Sequence, residues 1–149
     1  MLSYPVSSIA ERQFIETFGL SESSTEKTFA METLADRRFI GAVGLHGIDW
    51  INRHSALGIM IGDKQYWGRG YGTDAMRVLM RLAFDKLNLH RLWLHVYDFN
   101  ARAIASYERC AFTREGVLRE QRLFGHKYHD TIVMGILEAE YRALGDARA

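Results

Sequence analysis

Gln65-Tyr66-Trp67-Gly68-Arg69-Gly70-Tyr71-Gly72-Thr73 is the stretch on which the reading of this chain turns. Three glycines stand directly before an amphipathic run. From Gly72 onward, Ala75, Met76, Leu79, Leu82, Ala83 and Leu87 recur at i, i+3 and i+4 spacing, which predicts a helix of about four turns. Glycine lacks a Cβ, so backbone N–H groups can approach a ligand closely and converge on one point. The first turn of the helix adds unpaired N–H groups and the positive end of its dipole. Together they predict a cradle for phosphate or pyrophosphate, with Arg69 available for a charge-assisted contact. The competing reading is a glycine-rich turn that only packs a helix on a sheet. A Walker A loop needs a lysine after its last glycine, and Thr73-Asp74 follow Gly72 here, which argues against nucleotide hydrolysis. Gly70-x-Gly72-x-x-Ala75 matches the dinucleotide fingerprint weakly, because six residues separate Ile61 from Gly68 and the only acid near the required place, Asp98, comes late.

Upstream of the loop, Ser8-Ile9-Ala10-Glu11 has the form of a capping box, and Ala10, Phe14 and Phe18 predict a short helix ending at Gly19. Lys27 to Thr33 alternates around Phe29 and Met31, Phe39 to Leu45 is an apolar run, and Ala56 to Ile61 alternates again. Three consecutive strands with short connections predict an antiparallel meander. Downstream, Leu92, Leu94 and Val96 alternate in a strand from Arg91, Asn100 caps a helix reaching about Arg109, and two last strands are expected at Phe112 to Arg119 and Tyr128 to Leu137. A meander followed by helix, strand, helix and two strands is an α/β arrangement of the α+β kind, one mixed sheet carrying helices. The 149 residues suffice for a single domain, 1–149.

Read as Gln-x-x-Gly-x-Gly, Gln65, Gly68 and Gly70 resemble the acyl-CoA pyrophosphate loop of the GNAT superfamily of N-acetyltransferases. Asn100 with Tyr107 resembles that family's second signature, an asparagine near the pantetheine arm and a tyrosine near the CoA sulfur. Ile40-Gly41-x-Val43-Gly44-Leu45, Leu89-His90-Arg91-Leu92, Phe112-x-x-Glu115-Gly116 and Tyr128-His129-Asp130 look like the branch of ribosomal-protein N-terminal acetyltransferases. The resemblance covers roughly residues 28 to 141.

It implies a GNAT-like fold and acetyl-CoA as co-substrate, held by Met60, Ile61, Gln65, Trp67, Gly68, Arg69, Gly70, Tyr71, Gly72, Thr73 and Asn100. The co-substrate would lie in a splay between the strand ending at Ile61 and the strand from Arg91 to Val96, with Tyr107 as proton donor to the departing thiolate. The implied reaction transfers acetyl directly to a primary amine, on a small molecule or at a protein N-terminus, between which the residues do not choose. The alternative is a binding protein that senses acyl-CoA without turnover. Two departures stand out. The family's Gly-Phe after this helix is Ala111-Phe112, so the helix is expected to end without a glycine in the left-handed position. Members of the branch also begin with a further strand and helix, whereas Lys27 already opens the first strand here, so the acceptor region is expected to be shortened or missing: either the recorded start lies downstream of the true one, or the pocket is built differently, with a homodimer expected to cover the open edge.

No residue qualifies strongly as the general base. His46, Asp49 and His54, expected in the connection between two strands, are candidates, as are Glu115 and Asp130. His126 and His129 lack the ligand count of a zinc site, so no metal is expected. A net charge of +1 argues against nucleic acid as the main partner. No stretch reaches the roughly 20 apolar residues of a membrane span. The single cysteine, Cys110, is expected to be buried and inert, and the default location is the cytoplasm.

Overall fold

In the computed structural model, which describes residues 25–146, alternation becomes a six-stranded mixed sheet. The helix expected over Ser8 to Gly19 lies outside the described residues. Strands β1 (Lys27–Glu32), β2 (Phe39–Asp49) and β3 (His54–Ile61) form the antiparallel meander. A short 3₁₀ turn at Lys64–Tyr66 leads into α1 (Tyr71–Arg81), which continues through a π-helical turn at Leu82–Lys86. Then come β4 (Arg91–Tyr97), α2 (Ala101–Arg109), β5 (Thr113–Phe124), β6 (Lys127–Leu137) and α3 (Glu138–Asp146). The order across the sheet is β1-β2-β3-β4-β6-β5, antiparallel at every step except β3 beside β4.

Burial follows the period of each element. In β4, Leu92, Leu94 and Val96 are buried, while Arg91, Trp93, His95 and Tyr97 alternate on the other face. Helix α1 contributes Met76, Leu79 and Met80 to the same core, joined by Leu45, Met134 and Ile136 from the strands. Helix α3, which the sequence did not suggest, is held by Tyr141 stacking on Phe84 at 4.7 Å and by an Arg142–Asp85 ion pair. Strand β5 runs further than expected, to Phe124, because Gly125 (φ 56°) and His126 (φ 65°) form a two-residue turn that lets pairing with β6 continue to Phe124↔Lys127.

One expectation is corrected. His46 and Asp49 lie within β2 and His54 opens β3, so none belongs to a loose connection. The ladder runs through His46↔Ala56, shifts register around Gly47 (φ 57°), and resumes at Asp49↔His54. Asp49 then closes the turn, its carboxylate accepting the N–H groups of Ile51 and Asn52 at 2.9 and 2.8 Å. The end of α2 is as expected, without a glycine: Ala111 itself occupies the left-handed position, at φ 65°. The Ala111 N–H donates to Glu108 C=O at 2.9 Å and the Phe112 N–H to Tyr107 C=O at 3.1 Å, the two bonds of a Schellman motif. Its pattern of backbone bonds overrides the residue's own preference.

Candidate active site

The strands β3 and β4 pair only at His54↔Arg91, Ser55↔Leu92 and Ala56↔Trp93. Beyond Ala56 they diverge, while the other side of β3 stays paired with β2 as far as Gly41↔Ile61. The parallel partner is lost just where β3 needs one, so the backbone edge from Leu57 to Ile61 faces a gap. A cleft of about 600 Å³ fills that gap, lined by Ile59, Met60 and Ile61 on one side and Tyr97, Asn100 and Tyr107 on the other.

At one end of the cleft is the glycine loop. Gly68 (φ 71°) and Gly70 (φ 89°) are both left-handed, and Gly70 is the N-cap of α1. The first bond inside the helix runs from the Asp74 N–H to Gly70 C=O, at 2.9 Å. The N–H groups of Tyr71, Gly72 and Thr73 are therefore the ones an α-helix leaves without an internal partner. Lys64, Arg102 and Arg109 line the same cleft, and among the described residues no aspartate or glutamate does. Field and dipole agree in sign: both favour an anion.

Trp67 forms one wall. Its indole N–H donates to Ile61 C=O at 2.9 Å, and the Arg102 guanidinium lies 3.7 Å above its ring centre. The contact ties the loop to α2 across the mouth of the cleft. Deeper in, Thr73 and Ser106 share a hydrogen bond of 2.8 Å that fixes α1 against α2. Asn100 begins α2, its side-chain oxygen accepting the Ala103 N–H at 3.2 Å, which leaves its amide NH₂ without a described partner.

Tyr107 stands about two turns further along α2 and lines the same cleft. Its ring packs 6.3 Å from that of Phe112, and burial raises its hydroxyl above the ordinary tyrosine range. The group is therefore a protonated donor at neutral pH. Met60, Ile61, Trp67, Gly68, Gly70, Gly72, Thr73, Asn100 and Tyr107 thus share one cavity. Gln65, Arg69 and Tyr71 do not line it. Gln65 is turned onto Asp63, whose carboxylate accepts its backbone N–H at 3.0 Å, and Tyr71 packs edge-on against Tyr66 at 5.7 Å. Cys110 is buried, its thiol held above the usual range by that burial.

A second, smaller cavity of about 200 Å³ adjoins the first, and Ile59, Tyr97, Asn100 and Tyr107 line both. It adds His95 and Arg122, which the sequence reading did not single out, and Thr131. The signal for His95 was present in the alternation of β4, which places it opposite the buried Leu94 and Val96. His95 is exposed by surface area, and its partial desolvation, followed by the nearby Arg122 charge, lowers its pKa. Glu115 is committed elsewhere, in an ion pair with Arg91, and Asp130 accepts the Glu120 N–H at 2.8 Å. His129 pairs with Asp98 at 3.3 Å.

Comparison with known proteins agrees with this architecture. The profile described as "Acetyltransferase (GNAT) domain" matches residues 2–113. The chain belongs to the GNAT acetyltransferase family, a class of acyl-CoA-dependent N-acetyltransferases. Spermidine N(1)-acetyltransferase of Vibrio cholerae is 33% identical over 118 residues, 79% of this chain and 67% of its own length. The putative ribosomal N-acetyltransferase YdaF of Bacillus subtilis is 32% identical over 108 residues, 72% of this chain and 58% of its own. This chain therefore spans about three-fifths to two-thirds of those curated relatives. The crystal structure of the Vibrio cholerae spermidine N-acetyltransferase in complex with CoA and spermine aligns with a TM-score of 0.82 at 29% identity, covering 95% of this chain and 81% of that one. The mixed α/β sheet with its helices is the GNAT fold. Relatives of both the spermidine and the ribosomal kind are present, so the likeness to the ribosomal branch alone is too narrow.

Proposed function

We propose that this protein is an active N-acetyltransferase that moves an acetyl group from acetyl-CoA to the primary amine of a small molecule, polyamines being the first class to test. The carrying observation is one continuous cleft, free of carboxylates among the described residues, that runs from a helix N-terminus with unpaired N–H groups to the buried Tyr107 hydroxyl. The N–H groups of residues 70 to 73, with Lys64 and Arg102 nearby, hold the pyrophosphate. The unpaired edge of β3 receives the pantetheine amides as an added strand would. A backbone N–H at Met60 or Ile61 polarises the thioester carbonyl, a kind of contact worth about 3 to 4 kcal/mol in acyl transfer. The free Asn100 amide contacts the pantetheine arm, and Tyr107 returns a proton to the thiolate as the C–S bond breaks.

Polyamines come first because spermidine acetyltransferases stand among the most similar relatives and one is known in complex with spermine. A protein N-terminus is the second reading, favoured by the similarity to YdaF. Two copies associate as a homodimer in this reading, in keeping with the dodecamer described for the Vibrio cholerae enzyme and with Phe29 and Phe39 exposed on or beside the edge strand β1. The cytoplasm remains the proposed location.

The test pairs binding with turnover. Calorimetry should give a 1:1 complex with acetyl-CoA for the native chain and none for a folded Gly70→Asp variant, whose side chain adds a repelling charge and strain at φ 89°. CoA release should then depend on an added amine from a panel of spermidine, spermine, an amino acid and a peptide with a free N-terminus. Binding without amine-dependent release would leave the sensing role, and absence of binding would refute the reading.

A further inference from the structure

The proposed reaction must dispose of a proton from the attacking nitrogen, and none of the groups so far described receives it. The smaller cavity shares Tyr107 and Asn100 with the larger cleft but none of the glycine-loop residues, and it sits beyond the last β3–β4 pair, with Ile59 on one strand and His95 on the other. It is polar where the larger cleft is apolar or cationic: His95, Arg122 and Thr131 meet there with the Tyr107 and Asn100 side chains. Thr131 is only 2% exposed, and its hydroxyl oxygen is buried with no hydrogen-bond partner among the described residues. A buried hydroxyl left unpaired costs about 1 to 3 kcal/mol, so a partner from outside the described residues is expected for it.

We propose that this cavity admits the acceptor amine and that His95 takes the proton from its nitrogen as the new C–N bond forms. The proposal rests on the acetyltransferase reading above and adds to it a site and a catalytic residue.

The chemistry balances as follows. The amine enters neutral, and its lone pair forms the C–N bond to the thioester carbonyl carbon. The nitrogen becomes cationic and acidic enough for an imidazole to take one of its protons. The C–S bond breaks, the thiolate takes the Tyr107 proton, and the tyrosinate recovers a proton from solvent. The His95 imidazolium releases its proton to solvent, so acetyl-CoA and a neutral amine give an amide and CoA. On a rotation of its buried side chain, Thr131 accepts the amine's other N–H, which aligns the lone pair. Arg122 makes the cavity unwelcoming to an ammonium ion, so it selects the neutral, nucleophilic form and keeps His95 unprotonated.

Other titratable groups near His95 are accounted for. On its own strand Arg91 is paired with Glu115 of β5. On β6 His129 is paired with Asp98, on α2 Tyr107 stays neutral, and on β2 the His46 ring lies against Gly58. Arg122 of β5 is the charge that bears on His95.

The test uses the full chain, acetyl-CoA and whichever amine of the panel reacts fastest. His95→Gln should lower kcat by about 100-fold, within the range of general base catalysis, and remove the acid limb of the pH–kcat profile while the acetyl-CoA Kd stays within about two-fold. Arg122→Gln should move that limb to higher pH, because the His95 pKa returns toward the usual value of about 6.5. An NMR titration of the His95 ring, assigned by its loss in His95→Gln, should show the same upward move without any turnover. Native kcat and an unchanged acid limb in a folded His95→Gln variant would overturn the proposal, as would a His95 midpoint that ignores Arg122. A native chain that releases no CoA with any amine refutes the acetyltransferase reading itself and takes this proposal with it.

Discussion

Replacing Ala111 with glycine should stabilise the protein, although the change deletes a methyl group packed at the edge of the core. The left-handed conformation brings a Cβ against the neighbouring carbonyl and costs an L-residue about 1 to 2 kcal/mol. Ala111 bears this cost at φ 65°, and glycine would not. Against the gain stand the larger backbone entropy that glycine loses on folding, about 0.5 to 1 kcal/mol, and part of one methylene's burial, which is worth about 0.8 kcal/mol when complete. The balance is a gain of about 0.5 kcal/mol. In a chain of 149 residues that corresponds to roughly 1 to 2 °C in Tm. Urea unfolding with both proteins at equal m-value measures it, with thermal melts as a second probe. Ala111→Val, which adds a β-branch at the same φ, should move the other way by more than 1 kcal/mol, so that the pair brackets the effect. A glycine variant clearly less stable than native would refute the argument, because methyl packing and not backbone strain would then dominate at the end of α2.

Tyr107→Phe keeps the ring against Phe112 and removes the hydroxyl, so kcat should fall at least tenfold while the acetyl-CoA Kd stays within a few-fold; steady-state rates beside a binding titration decide it. The Asp49 carboxyl is held below the usual aspartate range, first by the Asn52 side-chain amide and then by backbone N–H groups. Its stabilising contribution is therefore complete above about pH 4 and is lost as pH falls through the lower, folded-state value. The Tm difference between native protein and Asp49→Asn should be flat from neutral pH down to about pH 5 and shrink below pH 4; a difference that grows on acidification would contradict the turn geometry.

Periodicity carried the meander, the helix after the glycine loop, β4 and α2, because each of these buries one face and its apolar spacing records that face. Side chains at element ends were harder to place. Asp49 was expected in a connection because a register shift at Gly47 is invisible in hydropathy. The extension of β5 to Phe124 depends on left-handed backbone at His126, a residue that does not announce such a turn. Helix α3 depends on Tyr141 and Arg142 reaching across to Phe84 and Asp85, contacts more than fifty residues apart. The glycine loop and the pairing of Asn100 with Tyr107 were legible as local patterns. His95, Arg122 and Thr131 were not, since they come from three different strands and only the sheet order brings them together.

The short parallel zipper between β3 and β4 has a mechanical consequence. Among the described residues, three ladder pairs and the Arg53 C=O, which accepts the N–H groups of His90 and Arg91, join β1-β2-β3 to β4-β6-β5, all at one end of the seam. The sheet is in effect two plates on a narrow hinge. How wide the plates stand apart is set by struts placed on the helices: the Thr73–Ser106 hydrogen bond between α1 and α2, and the Arg102–Trp67 contact between α2 and the loop. Side chains can trim such a gap by fractions of an ångström without disturbing a single rung of either plate. A fold built this way can re-gauge its opening for a longer or bulkier acyl chain by changing two or three helix residues, and leave the sheet untouched.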